Sequence, residues 1–289
     1  MNVVFDDSKS RERSQYVTDK VLQSFSKMNT KYTLLASRFL VGMLILILAK
    51  DELLSSISDV RDTSIGVGVM GMMGNKGAVA IRLNIYDTPL CFIGSHLSAN
   101  KKEVLSRNND YKTIVEKLVF YKKDLVSLSR PWHDVQHYAN LDLHMFDHAI
   151  VFWFGDLNYR IDSIDFETIL TKIEQGDLKS LLDHDQLINE MKAGRVFNYF
   201  EEGPLTFNPT YKYQQGTDLY EQRPDKKKRE PAWCDRVLYF SKLPFYTVDL
   251  INYRRSNLKP SGSITLFIYL IDSENHLLIY YTPIYFKII

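Results

Sequence analysis

The chain has 289 residues, 45% of them hydrophobic and 25% charged, the balance of a globular protein with a sizeable core rather than a disordered or low-complexity chain. Lysine and arginine nearly cancel the acids and leave a net charge of +1, so a broad nucleic-acid surface, which needs a basic excess, is not expected. The two cysteines, Cys91 and Cys234, are too few for a disulfide framework, and the N-terminus turns charged at once, unlike a secretory signal. Both features predict a soluble protein of the reducing cytoplasm. The longest apolar run, Phe39 to Ala49, is too short to span a bilayer, so any membrane contact is expected to be peripheral.

In chain order, Asp7 or Ser8 caps a helix that places Val17, Val21, Phe25 and Met28 on one stripe. Phe39 to Ala49 reads as a single strand, and its lack of alternation implies burial on both faces. Asp59 to Thr63 reads as a polar connection. It leads to a glycine-rich stretch with strands at Ser64 to Met70 and Ala78 to Tyr86, between which Gly71, Gly74 and Gly77 flank Asn75 and Lys76. Asp87-Thr88-Pro89 is a turn, and the strand Leu90 to Ser95 delivers His96. Ile114, Leu118, Tyr121, Leu125 and Leu128 mark a long helix ended at Arg130-Pro131, and residues 131–148 read as an irregular surface insertion. Ala149 to Phe154 has the length and composition of a buried strand; Gly155 breaks it, and Asp156, Asn158, Tyr159 and Arg160 follow. Helical stripes come next at Phe166, Ile169, Leu170 and Ile173, at Leu178, Leu181 and Leu182, and at Leu187, Ile188 and Met191, with Gly176 and Gly194 as stops. From Phe207 the chain is loop-like until a strand at Trp233 to Phe240. Strands alternating with helices, then a late run of strands, indicate an α/β protein with a mixed sheet and no forced second domain.

Four polar clusters stand at strand ends or in loops: Asn75-Lys76, Ser95-His96, Asp156 to Arg160, and the segments around Tyr211-Lys212 and Lys227 to Arg236. A phosphate ester hydrolase needs such parts: a carboxylate to orient a water, donors around the transferred phosphoryl, and usually Mg²⁺. Asp156 is the candidate base, with His96 and Asn158 as donors. Clustered Lys and Arg on a nearly neutral chain suggest a substrate with several phosphates. Each cluster also has a plainer reading: Gly155-Asp156 is an ordinary turn dipeptide, His96 an isolated strand histidine, and Lys226 to Arg229 a solvated charge run. Trp233 and Cys234 read as core, and Met70, Met72 and Met73 as packing around the glycine turn. His133 and His137, like His144 and His148, have zinc-motif spacing, but an aspartate replaces the motif's glutamate in a loop-like setting after a proline, so zinc is not expected.

GNKGAVAIR (74–82), SHLSAN (95–100), WFGDLNYRID (153–162), PTYKY (209–213) and REPAWCDRVLY (229–239) resemble, in order, the signatures of the inositol polyphosphate 5-phosphatases, a family of the Mg²⁺-dependent DNase I-like superfamily. With RFLVGMLILIL (38–48), the chain looks most similar to the type II members, which act on phosphoinositides. Five ordered motifs are far more specific than any one alone. The resemblance implies an α/β (α+β) fold, a DNase I-like four-layer sandwich of two mixed β-sheets flanked by helices. It implies Mg²⁺-dependent hydrolysis of the 5-phosphate of phosphatidylinositol 4,5-bisphosphate or a related inositol polyphosphate by in-line attack of water. Its partners are then a phosphoinositide lipid or soluble inositol phosphate, met in the cytoplasm or transiently at the cytosolic face of a membrane, with no nucleic acid. Matched motif by motif, Asp156 activates the water, Asn158 binds the scissile phosphate and His96 stabilises the pentavalent oxygens. Tyr211, Lys212, Lys227 and Arg229 match residues that hold the 4-phosphate, and Asn75 and Lys76 those near the 1-phosphate. Tyr159 and Arg160 accompany them as substrate-binding candidates, and Arg236 supports the site.

The family's main Mg²⁺ ligand is a glutamate upstream of Met1, and its closing Ser-Asp-His corresponds here to Ser261-Gly262-Ser263. The expectation is therefore a partial catalytic domain over residues 1–261, with metal ligands unknown and metal bound weakly. Residues 262–289 read as a divergent tail, either a hairpin turning at Ser273-Glu274-Asn275 or sequence from beyond a splice site. Two other readings stay open: a non-catalytic phosphoinositide-binding or scaffold protein, and a DNase I-like nuclease, which the 4-phosphate residues and the lack of basic excess disfavour.

Overall fold

Phe39 to Ala49 is two strands rather than one. Gly42 takes a φ of +81° and, with Val41, turns the chain between β1 (Tyr32–Leu40) and β2 (Met43–Lys50), which pair as an antiparallel hairpin. Val-Gly lacks the Asn-Gly or Asp-Gly signature of such turns, so the apolar run concealed it. Burial on both faces does hold for β2. Met43, Ile45, Ile47 and Ala49 enter the core between two sheets, while Leu44, Leu46 and Leu48 pack under Val17, Val21, Leu22 and Phe25 of helix α1 (Asp7–Phe25). Each buried leucine contributes on the order of 2 kcal/mol, and together they fasten α1 to the sheet. The computed structural model describes residues 7–27, 29–67, 76–121, 142–214, 216–226, 228–242, 248–255, 265–271, 277–281 and 284–288, with side chains from 11 to 255. Met28 falls outside that description, as do the side chains of the expected caps Asp7 and Ser8.

The second sheet begins with β3 (Ile57–Gly66), β4 (Gly77–Ile85) and β5 (Thr88–His96). Asp59 to Thr63 thus lies within a strand and does not connect two. A bulge between Ser58 and Arg61, with Asp59 at φ +47°, lets the Asp59 carboxylate pair with both Arg61 and Arg82, so internal ion pairs satisfy the polar stretch. Helix α2 (Val104–Lys117) ends earlier than its stripe suggests. Val119–Phe120 (β6) leaves it to pair with Leu143–His144 (β7), while Leu125, Leu128 and Arg130-Pro131 lie outside the described residues. After β8 (Ile150–Asp156) come α3 (Phe166–Glu174), α4 (Leu178–Leu182) and α5 (Gln186–Lys192), which match the three predicted stripes. Asp165, Asp177 and Asp185 cap them, and Gly176 and Gly194 follow α3 and α5 at φ +72° and +66°, the left-handed conformation that stops helices.

With β9 (Glu201–Glu202) and β10 (Asp235–Ser241), this sheet has the order β3-β4-β5-β8-β10-β9; β5 and β8 run parallel and the other pairs antiparallel. Late strands β11 (Leu250–Arg255), β12 (Thr265–Ile271), β13 (Leu277–Tyr281) and β14 (Ile284–Ile288) complete the first sheet as β1-β2-β12-β13-β14-β11. There β12 lies parallel to β2 and antiparallel to β13. Val79, Ile81, Phe92, Phe152, Phe154 and Val237 fill the core between the sheets with the inner face of β2. Cys91, Ile93, Val151 and Trp153 face the other way, against Tyr111 and Ile114 of α2 and Leu187 of α5. The architecture is the expected sandwich of two mixed sheets between helical layers. No helix among the described residues is long and apolar enough to cross a membrane.

Candidate active site

Strand register brings four segments to one level at the edge of the second sheet: Gly77 lies opposite His96, His96 opposite Asp156, and Asp156 opposite Asp235. Side chains two residues back along the strands share a face. Phe92, Phe154 and Val237, of the same parity as His96, Asp156 and Asp235, belong to the inter-sheet core, so the polar row stands at the rim of that core. Gly155 makes the close approach possible: its φ is +137°, and a Cβ there would lie 2.0 Å from the Ser95 carbonyl oxygen. Beside it, Trp153 Nε1 donates to Ser95 Oγ at 2.9 Å.

Lys76 Nζ lies 2.5 Å from His96 Nε2, and the same nitrogen is 3.4 Å from Asp156 Oδ2. The second contact is an ion pair only when the imidazole is protonated. Burial lowers the His96 pKa first; Asp156 opposes that, and Lys76 and Arg160 reinforce it. His96 is therefore neutral at physiological pH, accepts from the Lys76 ammonium at Nε2, and carries its ring hydrogen on Nδ1. Burial also lowers the Lys76 pKa, against the pull of Asp156 and Asp110. The result is an imidazole flanked on one side by the Lys76 amine and on the other by the Asp156 carboxylate, partly open to solvent.

The segment after β8 is shaped by Asn158, at φ +58°. Its N–H donates to Asp156 Oδ1 at 3.1 Å, and its Nδ2 donates to the Leu97 carbonyl at 3.0 Å. Arg160 Nη2 donates to Asn158 Oδ1 at 2.5 Å, and the guanidinium stacks 4.2 Å from the centre of the Tyr211 ring. Tyr211 is fixed by a two-bond bridge with Ala232, and Thr210 Oγ1 donates to Asp235 Oδ2 at 2.7 Å. In this way the PTYKY and REPAWCDR segments are joined beside Asp156. Lys212 is exposed, and Arg229 is half-buried with no ion-pair partner among the described residues.

Two of the residues expected at the site lie away from the rim. Tyr159 is fully buried in the helix-side core, where its O–H donates to Asn108 Oδ1 at 2.8 Å. Arg236 is also fully buried and pairs with Asp185 and Glu202; one residue beyond Asp235, it has the opposite strand parity and meets α5 rather than the rim. Both side chains are fully engaged within the fold. Arg160, nearly buried, acts on the site by holding Asn158 and Tyr211. Asn75 and Lys227 lie outside the described residues, as do Met70, Met72, Met73, Gly71 and Gly74. So do His133 and His137, while His144 is exposed and His148 is buried between Met145 and Arg82. Sequence reasoning missed Asp110, whose carboxylate accepts from Ser98 N at 2.8 Å, and Arg107, which donates to the Ser98 and Asn100 carbonyls. Their signal was helical spacing, on α2, close behind SHLSAN.

No group of three or more His, Cys, Asp or Glu among the described residues converges as a metal site. Asp156 Oδ1 is engaged by Asn158, and Asp235 by Thr210. A hard divalent cation takes six or more oxygens and prefers several carboxylates, so the described donor set does not by itself fit a resident ion.

Residues 4–263 match the family model described as Endonuclease/Exonuclease/phosphatase family 2. The chain is 39% identical over 236 residues to type IV inositol polyphosphate 5-phosphatase 3 of Arabidopsis thaliana, covering 81% of this chain and 33% of that protein. It is 37% identical over 258 residues to inositol-1,4,5-trisphosphate 5-phosphatase 1 of Schizosaccharomyces pombe, covering 89% and 22% respectively. The chain thus spans about a third or less of these relatives' length. Among solved structures it is similar to the inositol polyphosphate 5-phosphatase domain of SPsynaptojanin in complex with inositol (1,4)-bisphosphate and calcium ion. That match has a TM-score of 0.72 at 33% identity and covers 100% of this chain and 71% of that one. The ordered motifs, the two-sheet sandwich with its polar rim and these matches agree: the chain belongs to the inositol polyphosphate 5-phosphatases of the endonuclease/exonuclease/phosphatase family 2.

Proposed function

We propose that this chain hydrolyses the 5-phosphate ester of an inositol polyphosphate, phosphatidylinositol 4,5-bisphosphate or a soluble relative, in the cytoplasm or at the cytosolic face of a membrane. The observation that carries this reading is the rim cluster, where Lys76, His96 and Asp156 meet at 2.5 and 3.4 Å beside Arg160. In the reaction, Asp156 orients the attacking water and takes its proton. Lys76 and Arg160 supply positive charge where the transferred phosphoryl becomes more anionic, and His96 offers the Nδ1 hydrogen. Lys212 and Arg229, joined to the site through the Tyr211–Ala232 bridge, hold the neighbouring 4-phosphate, with Lys227 assigned there by resemblance and Asn75 to the 1-phosphate side. Magnesium is the proposed cofactor by family. Because the described donors do not fit it unaided, no step here is routed through it.

A second reading, phosphoinositide binding without hydrolysis, is favoured by that same donor set. Phosphate release from phosphatidylinositol 4,5-bisphosphate vesicles and from inositol 1,4,5-trisphosphate, with Mg²⁺ present, separates the two. Release lost by about 10² or more in Asp156→Asn supports hydrolysis. Binding with no release from either substrate supports the second reading instead.

A further inference from the structure

We infer that Gln186, at the start of α5, is a positioning residue that holds the His96 loop and the Asp156 loop in register. This rests on the rim cluster being the reaction site. Gln186 is buried, 5% exposed, and lies far along the sequence from both loops. Its Oε1 accepts from Arg160 N at 2.9 Å and from Arg107 Nη2 at 2.7 Å, and its Nε2 donates to the Lys101 carbonyl at 3.0 Å. Its backbone N–H also donates to the Arg160 carbonyl at 2.9 Å. One amide therefore grips both the turn that follows β8 and the loop that follows β5.

The grip on the β5 loop is extended by α2. Arg107 Nη1 donates to the Asn100 carbonyl at 2.6 Å and to the Ser98 carbonyl at 3.2 Å, and its guanidinium stacks 5.0 Å from the Tyr159 ring centre. Asp110 accepts from Ser98 N. Gln186 is the side chain that bonds to Arg107, Arg160 and the Lys101 backbone together. Both lone pairs of Oε1 are used, one by Arg160 N from the turn after β8 and one by Arg107 of α2. His96 and Asp156 are the residues from which these loops depart, and Asn158, which orients Asp156, is itself held by Arg160. Loss of the amide leaves the Arg160 N–H and an Arg107 N–H unpaired in a buried setting. Both are satisfied again only by movement of the loops, and sub-ångström misplacement of reacting groups is costly. The geometry also gives Tyr159 a place: the FGDLNYR motif carries a residue on which Arg107 is seated beneath the site.

The test compares Gln186→Leu and Gln186→Glu in the full chain. Glutamate keeps an acceptor for Arg160 N and Arg107 and loses the donor to Lys101. Phosphate release from inositol 1,4,5-trisphosphate is expected to fall about 10- to 100-fold in kcat for Gln186→Leu with KM little changed, and to recover largely in Gln186→Glu. The second readout is the NMR titration of His96, which is expected to move in Gln186→Leu and return towards wild type in Gln186→Glu. If the wild-type chain releases no phosphate, the proposed function fails while the titration still decides this inference. Wild-type kcat and an unmoved His96 titration in Gln186→Leu overturn it. If that variant does not fold, a Gln186→Glu protein that folds but titrates and turns over no better than an unrelated destabilised variant overturns it as well.

Discussion

Removing the positive charge of Arg236 tests whether that residue serves the fold or the substrate. Its guanidinium is fully buried; Nε and Nη2 donate to the two oxygens of Glu202 at 2.7 and 2.5 Å, and Nη1 donates to Asp185 Oδ1 at 2.9 Å. Tyr253 O–H adds a donor to Glu202 Oε1 at 2.9 Å. Burial alone would lower the Arg236 pKa, but the two carboxylates hold it well above its ordinary value. Arg236→Met keeps much of the volume and strands two buried acids, a change that costs about 3–5 kcal/mol. For a chain of this size the melting temperature then falls by roughly 10 °C. The double variant Arg236→Met/Glu202→Gln removes one stranded charge and should recover part of the loss. Urea unfolding followed by the fluorescence of buried Trp153 and Trp233 measures the midpoint, with an unchanged m-value showing that stability alone has moved. Phosphate release per folded molecule should stay near wild type. An unchanged midpoint together with lost inositol phosphate binding would refute the reasoning and return Arg236 to the substrate.

The other predictions concern the same sheet. Burial pushes the His148 pKa down from 6.5 to about 4, so the unfolded chain binds that proton more readily than the folded one. Stability present above about pH 6.5 is lost as pH falls towards 4, by up to about 3 kcal/mol. His148→Gln should flatten the urea midpoint across that window, and parallel pH curves for variant and wild type would rule the linkage out. Gly155→Ala drives a Cβ to 2.0 Å from the Ser95 carbonyl, and it should cost several kcal/mol and spoil the His96–Asp156 register; a variant that melts like wild type would sink this. Titrated with Mg²⁺ and no substrate, the chain should show calorimetric affinity no tighter than about 10⁻⁴ M. Micromolar binding would mean that residues beyond the described donors complete the site.

Much of this fold was legible wherever one residue's neighbours decide its state. The α3, α4 and α5 stripes, their terminal glycines and the doubly buried β2 follow from periodicity. What escaped is set by partners distant in sequence. Asp59 to Thr63 looks like a connection until Arg82 arrives from β4, and Val41-Gly42 turns because β1 pairs back on β2 rather than because of its composition. The site shows the same division. Motifs named Lys76, His96, Asp156 and Asn158, which the sheet brings together, but motif membership carries no information about strand parity. Asp235 and Arg236 are adjacent in one signature and serve opposite faces of β10, and Tyr159 shares a motif with Asp156 while sitting in the core. Gln186 had no local signal, since its role exists only where α2 and α5 meet the two loops.

The pairing of β2 with β12 has a consequence for how the chain is made. Residues 43–49 are made well before their parallel neighbour, residues 265–271. Until those later residues arrive, one edge of an almost wholly apolar strand lacks its hydrogen-bonding mate, although β1 pairs its other edge and α1 covers one of its faces. Such long-range parallel closure is slow, and exposed strand edges invite association between nascent chains. Completion of the first sheet therefore waits until its last strands have been made. The yield of folded protein should depend on translation rate and chaperone supply more than on the stability of the finished sandwich.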